Sequence, residues 1–330
     1  MIMKIVIDMM GGDKGSEATK SAVKRFHEAH GDVELILVGK AEELVDAKEG
    51  RIIPASEVIT MEAGALEVLR KKESSMVKAM MTAKEENADA IVSCGSTGAF
   101  LSSATLILKK IPGVIRPALA VAMPHVGEGF NTIYFLDAGS SNVNTPQEMA
   151  QFGFMGSLYA KCGAYYANPS VAILSNGSEE GKGSPEGKEA YALLKEDPRI
   201  NFIGNIESCD VLTGKANVIV TDGFSGNICI KAIEGTAKTM GKMLKAGFKR
   251  NLFSKIGYLL SKKGVDDMKK TMDTKRVGGA MLLGVNAVAV KGHGNSDATA
   301  FYYSIELAYR LAKEKMVEKI KKGFLDETNQ

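Results

Sequence analysis

Short apolar runs recur along this chain with amphipathic stretches between them, and that alternation admits few folds. Residues 3–8, 33–39, 90–93, 118–123, 132–137, 171–175, 202–206, 218–221 and 287–291 read as strands. Helical spacing of apolar residues appears at 16–29, 100–109, 147–160 and 185–194. Strands without polar alternation are buried on both faces, so the expectation is an α/β protein with a mostly parallel sheet flanked by helices. With 330 residues, 45% of them hydrophobic, residues 1–330 suffice for a single α/β catalytic unit, one body or two interlocked lobes around a cleft.

In such sheets ligands sit beyond the carboxyl ends of the strands, so the loops after strands carry the functional reading. The stretch V-A-I-L-S-N-G-S-E-E-G-K-G-S, 171–184, mixes Ser175, Asn176, Gly177, Ser178 and Lys182 before a helix start. It is either a phosphate cradle of backbone N–H groups, helix terminus and Lys182 or an ordinary strand-to-helix connection. D-M-M-G-G-D, 8–13, lacks the G-x-G-x-x-G spacing of a dinucleotide site; its Asp8 and Asp13 orient a ligand or serve as strand-end and capping groups. S-C-G-S-T-G-A, 93–99, offers Gly95, Ser96, Thr97 and Gly98 as an anion-binding turn or a simple cap. Asp137, Asn142 and Asn144 follow another strand, with Thr145 and Pro146 as helix cap and first turn. Asp222, Gly223, Gly226 and Asn227 open a long helix, and His293 stands between two glycines.

Forty-two basic against 39 acidic residues leave +3, too balanced to indicate nucleic acid. The four cysteines lack metal-type spacing, His27, His30 and His125 form no ligand pattern, and Cys94 reads as a buried small side chain, so neither metal nor cofactor is expected. Apolar runs are too short to span a bilayer and the N-terminus does not resemble a signal peptide, which favours a cytoplasmic protein.

One segment differs. Within a helical hairpin expected over 242–276, F-K-R-N-L-F-S-K-I-G-Y-L-L-S-K-K places Leu252, Phe253, Ile256, Leu259 and Leu260 on one face among lysines. That composition suits an anionic membrane interface, an acidic partner protein or packing against a partner subunit.

Together, D-M-M-G-G-D, I-P-A-S-E-V-I at 53–59, K-K-E-S-S-M at 71–76, S-C-G-S-T-G-A, I-P-G-V-I-R-P-A-L-A at 111–120, N-F-I-G-N-I-E at 201–207, D-G-F-S-G-N at 222–227 and G-A-M-L-L-G-V-N with G-H-G at 279–294 resemble the PlsX-type phosphate acyltransferases over nearly the whole chain. Met9, Cys94 and Ser96 stand where that family usually has alanine, alanine and asparagine, which argues against a catalytic cysteine.

The resemblance implies a fold similar to phosphotransacetylase and the isopropylmalate dehydrogenases. It also implies a homodimer attached peripherally to the inner face of the cell membrane, and transfer of a fatty acyl group from acyl carrier protein to inorganic phosphate. Acyl-coenzyme A as donor, or a non-catalytic organiser of lipid enzymes, are the alternatives. Because phosphate is itself the nucleophile, no triad is needed. Lys182, Asn227 and His293 are then expected to act on phosphate and oxyanion, with Asp8, Gly95, Ser96, Thr97, Gly98, Asp137, Asn142, Ser175, Asn176, Gly177, Ser178, Asp222, Gly223 and Gly226 lining the site. The loops around Lys182, Asn227 and Ser96 are expected to share one cleft.

Overall fold

The computed structural model describes residues 2–125, 132–271 and 278–328. Among the described residues eleven strands form one sheet: β1 Met3–Asp8, β2 Val33–Gly39, β3 Arg51–Pro54, β4 Ala90–Ser93, β5 Ala118–Pro124, β6 Thr132–Leu136, β7 Ser170–Ser175, β8 Asn201–Glu207, β9 Val218–Val220, β10 Ala280–Leu283 and β11 Val288–Lys291. Their order is β3-β2-β1-β4-β11-β10-β5-β6-β9-β7-β8. The first five in that order run parallel; β10 then pairs antiparallel with both β11 and β5, and β5 antiparallel with β6. From β6 through β9, β7 and β8 the strands are parallel again but reversed relative to β1. The expected α/β sheet is present, mostly parallel, with an antiparallel junction at its middle.

Two strands beyond the expected set complete it. β3 is an edge strand, which tolerates its terminal Pro54 because no outer neighbour needs that N–H. β10 is four residues long, preceded by Gly279 at φ +90° and followed by Gly284 at φ +91°.

Helices cover both faces. In chain order they are α1 Gly15–Ala29, α2 Ala41–Leu44, α3 Glu67–Arg70, α4 Ser75–Glu85, α5 Thr97–Ser103, α6 Pro146–Ala164, α7 Pro185–Glu196, α8 Gly223–Lys249, α9 Leu252–Thr271, α10 Ala298–Lys313 and α11 Met316–Thr328. Thr145 opens α6 in a full capping box: its hydroxyl accepts from the Glu148 N–H and the Glu148 carboxylate accepts from the Thr145 N–H. On one face Phe26, Phe152, Phe301 and Ile320 pack with the strands; on the other, Met80, Ala99 and Phe100 do. Residues read as helix over 100–109 form α5, which starts at Thr97, and then a wider π-helical turn, Ala104–Leu108.

α8 and α9 form the hairpin. Of the 27 residues of α8 only Gly223, Gly226, Cys229 and Ile230 are buried, all in its first two turns. The rest, about 30 Å at 1.5 Å per residue, projects from the body. Phe248 and Tyr258 pack ring to ring at 5.1 Å across the hairpin. The 272–276 portion of the expected hairpin lies outside the described residues.

Candidate active site

β9 and β7 are neighbouring parallel strands paired Val171↔Val218 to Ile173↔Val220, so the loops after them leave the sheet side by side. The loop after β7 is closed from within: the Asn176 carboxamide accepts from the Gly183 N–H at 3.0 Å, and the Ser184 hydroxyl caps α7 by accepting from the Gly187 N–H. Gly177 lies so near the Lys182 stem that a Cβ there would meet Lys182 Cγ at 2.7 Å. The Lys182 ammonium is exposed and pairs with no carboxylate among the described residues. Ser175 Oγ is sealed from solvent with no hydrogen-bond partner, a costly state for a hydroxyl. Ser178 is exposed on the same loop.

The loop after β9 enters α8 against the loop after β6. Asp137, fully buried, accepts from the N–H groups of Leu119, Ser140 and Ser141 at 2.9–3.1 Å and from the Ser140 hydroxyl at 2.7 Å. Asn144 Oδ1 accepts from the Gly223 N–H at 3.0 Å. The Asp222 carboxylate caps α8, accepting from Phe224 and Ser225. Gly223 and Gly226 admit these contacts because a Cβ at Gly223 would lie 2.5 Å from Asp137 Oδ2 and one at Gly226 would collide with the Asp137 carbonyl. Asn227 is exposed on the first turn of α8, its side chain beside Gly139. Asn142 is exposed on the facing loop.

The Asp137 and Asp222 oxygens, expected to face substrate, accept from backbone N–H groups here and thereby shape the two loops. The α8 terminus is correspondingly no open anion site, since Asp222 and Asn144 already take its first N–H groups.

A second group forms at the carboxyl ends of β1, β4 and β11. Ser93 Oγ donates to Asp8 Oδ2 at 2.6 Å and the Met10 N–H to Asp8 Oδ1 at 3.2 Å. Burial pushes the Asp8 carboxyl above the usual carboxylate range, opposed by hydrogen bonds from Ser93, Ser75 and Met10 and by the charge of Lys291. Lys291, 6% exposed, donates to the Gly292 carbonyl; burial holds its ammonium below its ordinary value. Asp8 is thus held by internal partners at the carboxyl end of β1. Gly11 is wedged where a Cβ would meet Asp8 Oδ2 at 2.6 Å and the Gly95 nitrogen at 2.7 Å.

Ser96 stands at the cap position of α5 without capping it, its hydroxyl donating to the Ala63 carbonyl at 3.1 Å. Asp13 does not cap α1 either; its N–H donates to the Gly294 carbonyl. Gly98 lies against Ala65, Thr97 is exposed, and His293 is exposed with Nδ1 accepting from the Asn295 N–H. Cys94 is buried and burial pushes its thiol up to about 11, so it is no thiolate nucleophile near neutral pH. Hydrogen bonds and close approaches thus bind Ser96 and His293 to the β1, β4 and β11 loops, whereas Lys182 and Asn227 belong to the β7 and β9 loops. Among the described residues no hydrogen bond joins the two groups.

Sequence reading missed Ser93, Ser140 and Lys291. For Ser93 and Lys291 the signal was a polar residue ending an apolar run, at I-V-S-C and V-A-V-K-G; Ser140 carried none. Glu207, Cys209 and Asp210 bring possible metal-ligand atoms within 4.8 Å of one another after β8, but Lys215 already pairs with Asp210 at 2.6 Å.

Residues 3–319 match the family described as "Fatty acid synthesis protein". The chain belongs to that family. It is 41% identical to a phosphate acyltransferase of Streptococcus uberis, with 98% of each chain covered, and 42% identical to one of Thermotoga maritima, with 97% of each covered. Membership makes it an enzyme of the acyltransferase class. Solved structures of a phosphotransacetylase from Streptococcus pyogenes and a branched-chain phosphotransacylase from Enterococcus faecalis share the fold: the TM-score is 0.60 for both, at 20% and 13% identity. The first comparison covers 94% of each chain; the second covers 94% of this chain and 99% of the other.

Proposed function

We propose that this enzyme transfers a fatty acyl group from acyl carrier protein to inorganic phosphate, giving acyl-phosphate for phospholipid synthesis. The observation that carries the reading is the loop after β7, where the exposed Lys182, unpaired among the described residues, stands one strand from Asn227. A dianion fits what this loop leaves unsatisfied. The names of the relatives, phosphate acyltransferase, support phosphate as acceptor.

The chemistry asks for little more. A phosphate oxygen attacks the thioester carbonyl carbon, the C–O bond forms, and the carbonyl electrons move onto oxygen. As that tetrahedral oxyanion collapses, the C–S bond breaks and its electron pair leaves with sulfur as thiolate. Phosphate held by Lys182 and the loop, with Asn227 donating to the developing oxyanion, lowers the barrier by positioning and electrostatics. His293 serves the same site from the opposite wall.

No described helix is long and apolar enough to cross a membrane. On α9 Leu252, Phe253, Leu259 and Leu260 are 67–85% exposed and Ile256 is 47% exposed, among Lys255, Lys262 and Lys263. The enzyme works as a homodimer attached peripherally through this face, releasing an acyl-phosphate that is apolar at one end. Incubation with acyl carrier protein thioester, with and without phosphate, tests the activity when hydroxylamine is added to trap acyl-phosphate only after the remaining thioester is removed, because hydroxylamine cleaves thioesters itself. Acyl hydroxamate formation that depends on phosphate is expected; thiol release without it refutes the reading.

A further inference from the structure

The chain's net positive charge is concentrated on the α8–α9 hairpin. Residues 231–263 carry nine basic side chains and one acidic, +8, whereas the whole chain carries +3. On α8 the lysines are not scattered. At 100° per residue, Lys231, Lys238, Lys242, Lys245 and Lys249 fall within a sector about 60° wide, and all five are exposed. Lys231 has a distant partner in Glu234 at 3.8 Å; the other four pair with no carboxylate among the described residues. Four unpaired lysines in line repel one another, a cost that an acidic surface would remove.

Asn227 lies in the same sector, one turn before Lys231. The stripe therefore begins at the proposed oxyanion donor and runs about 33 Å outward along a single face. The apolar membrane face proposed above is on the other helix of the hairpin, α9.

We infer that the lysine stripe of α8 is the docking rail for the thioester donor, an acidic carrier protein bearing its acyl group on a flexible arm. This rests on the proposed acyl-carrier reading. A partner aligned along Lys249 to Lys231 points such an arm toward Asn227 and the Lys182 loop, which couples recognition of the carrier to delivery of the thioester. The apolar residues of α9 leave the membrane contact independent of this docking.

The test compares the full-length enzyme with its Lys238→Glu, Lys242→Glu, Lys245→Glu variant. All three side chains are exposed, so folding is preserved, and a matching melting temperature checks it. The KM for acyl carrier protein thioester should rise at least about tenfold, equivalent to about 1.4 kcal/mol, while the KM for phosphate stays within twofold. Added salt should raise the wild-type carrier KM and leave that of the variant nearly unchanged. Flotation with anionic vesicles should persist through the apolar face of α9, weakened only in proportion to the hairpin charge removed. A variant carrier KM within twofold of wild type overturns the docking rail, as does lost flotation with an unaltered carrier KM, which would assign the stripe to the membrane. A wild-type enzyme that uses acyl-coenzyme A and not the carrier overturns the acyl-carrier reading and the rail with it.

Discussion

Replacing Lys182 by alanine isolates the phosphate contact from folding. The side chain is exposed, ion-pairs with nothing described, and rests only its stem on Gly177. Exposed substitutions of this kind shift stability by about 0.5 kcal/mol or less, so the melting temperature should hold. What is lost is a charge-assisted hydrogen bond to a dianion, on the order of 1.5–3 kcal/mol. At 1.4 kcal/mol per tenfold, the phosphate KM should rise roughly 10- to 150-fold. The nucleophile is bound before and during attack, so the loss falls mainly on KM, with kcat changing less. Initial rates of thiol release from saturating acyl carrier protein thioester, with phosphate varied, read this directly. Lys182→Arg keeps the charge on a planar fork of different reach and should be intermediate. A phosphate KM within twofold of wild type for Lys182→Ala would remove Lys182 from the phosphate site and with it the central support for the loop after β7.

Further outcomes separate the other elements. Leu259→Glu with Leu260→Glu, at positions 67% and 85% exposed, should abolish flotation with anionic vesicles while thiol release in solution persists; retained flotation removes α9 from the membrane contact. Gly223→Ala drives a methyl group to 2.5 Å from Asp137 Oδ2 and closer still to the Ser141 carbonyl, so it should destabilise by about 1–3 kcal/mol or more. An unchanged melting temperature would contradict the packing of α8 on the β6 loop. Cys94→Ala should keep near wild-type turnover. Because burial raises the folded thiol to about 11, its ionisation favours the unfolded state as pH rises from about 9. Wild type should therefore lose stability across that window relative to Cys94→Ala, and parallel melting curves for the two would refute the shift.

Strand positions were legible because fully buried strands are continuously apolar, as M-K-I-V-I-D and V-E-L-I-L-V-G are, and helix α6 announced its own start through Thr145, Pro146 and Glu148. Strand direction was not. The antiparallel pairing of β10 with β5 and β11 is set by a four-residue strand between glycines, too short to carry a period. The same limit applies within the site. Sequence identifies loops rich in donors and acceptors but not which groups satisfy one another, so Asp8, Asp137 and Asp222 read as ligands when each is already taken by neighbouring donors. Lys291 was overlooked because a lysine closing a strand ordinarily reaches solvent, and this one turns into the β1 and β4 loops.

Net charge misleads here for a physical reason. Outside residues 231–263 the chain has 33 basic residues against 38 acidic, so a body of −5 carries a projection of +8. At physiological ionic strength charges more than about 8 Å apart are largely screened from one another. A hairpin that projects about 30 Å thus presents its own field, not the sum over the molecule. The acidic body repels anionic surfaces while the hairpin attracts them, which orients the enzyme before any contact forms. The substrates and surfaces proposed here, carrier protein, phosphate and membrane, are all anionic. On the proposed reading they meet the chain along one line, from α9 through the α8 stripe to Asn227 and Lys182.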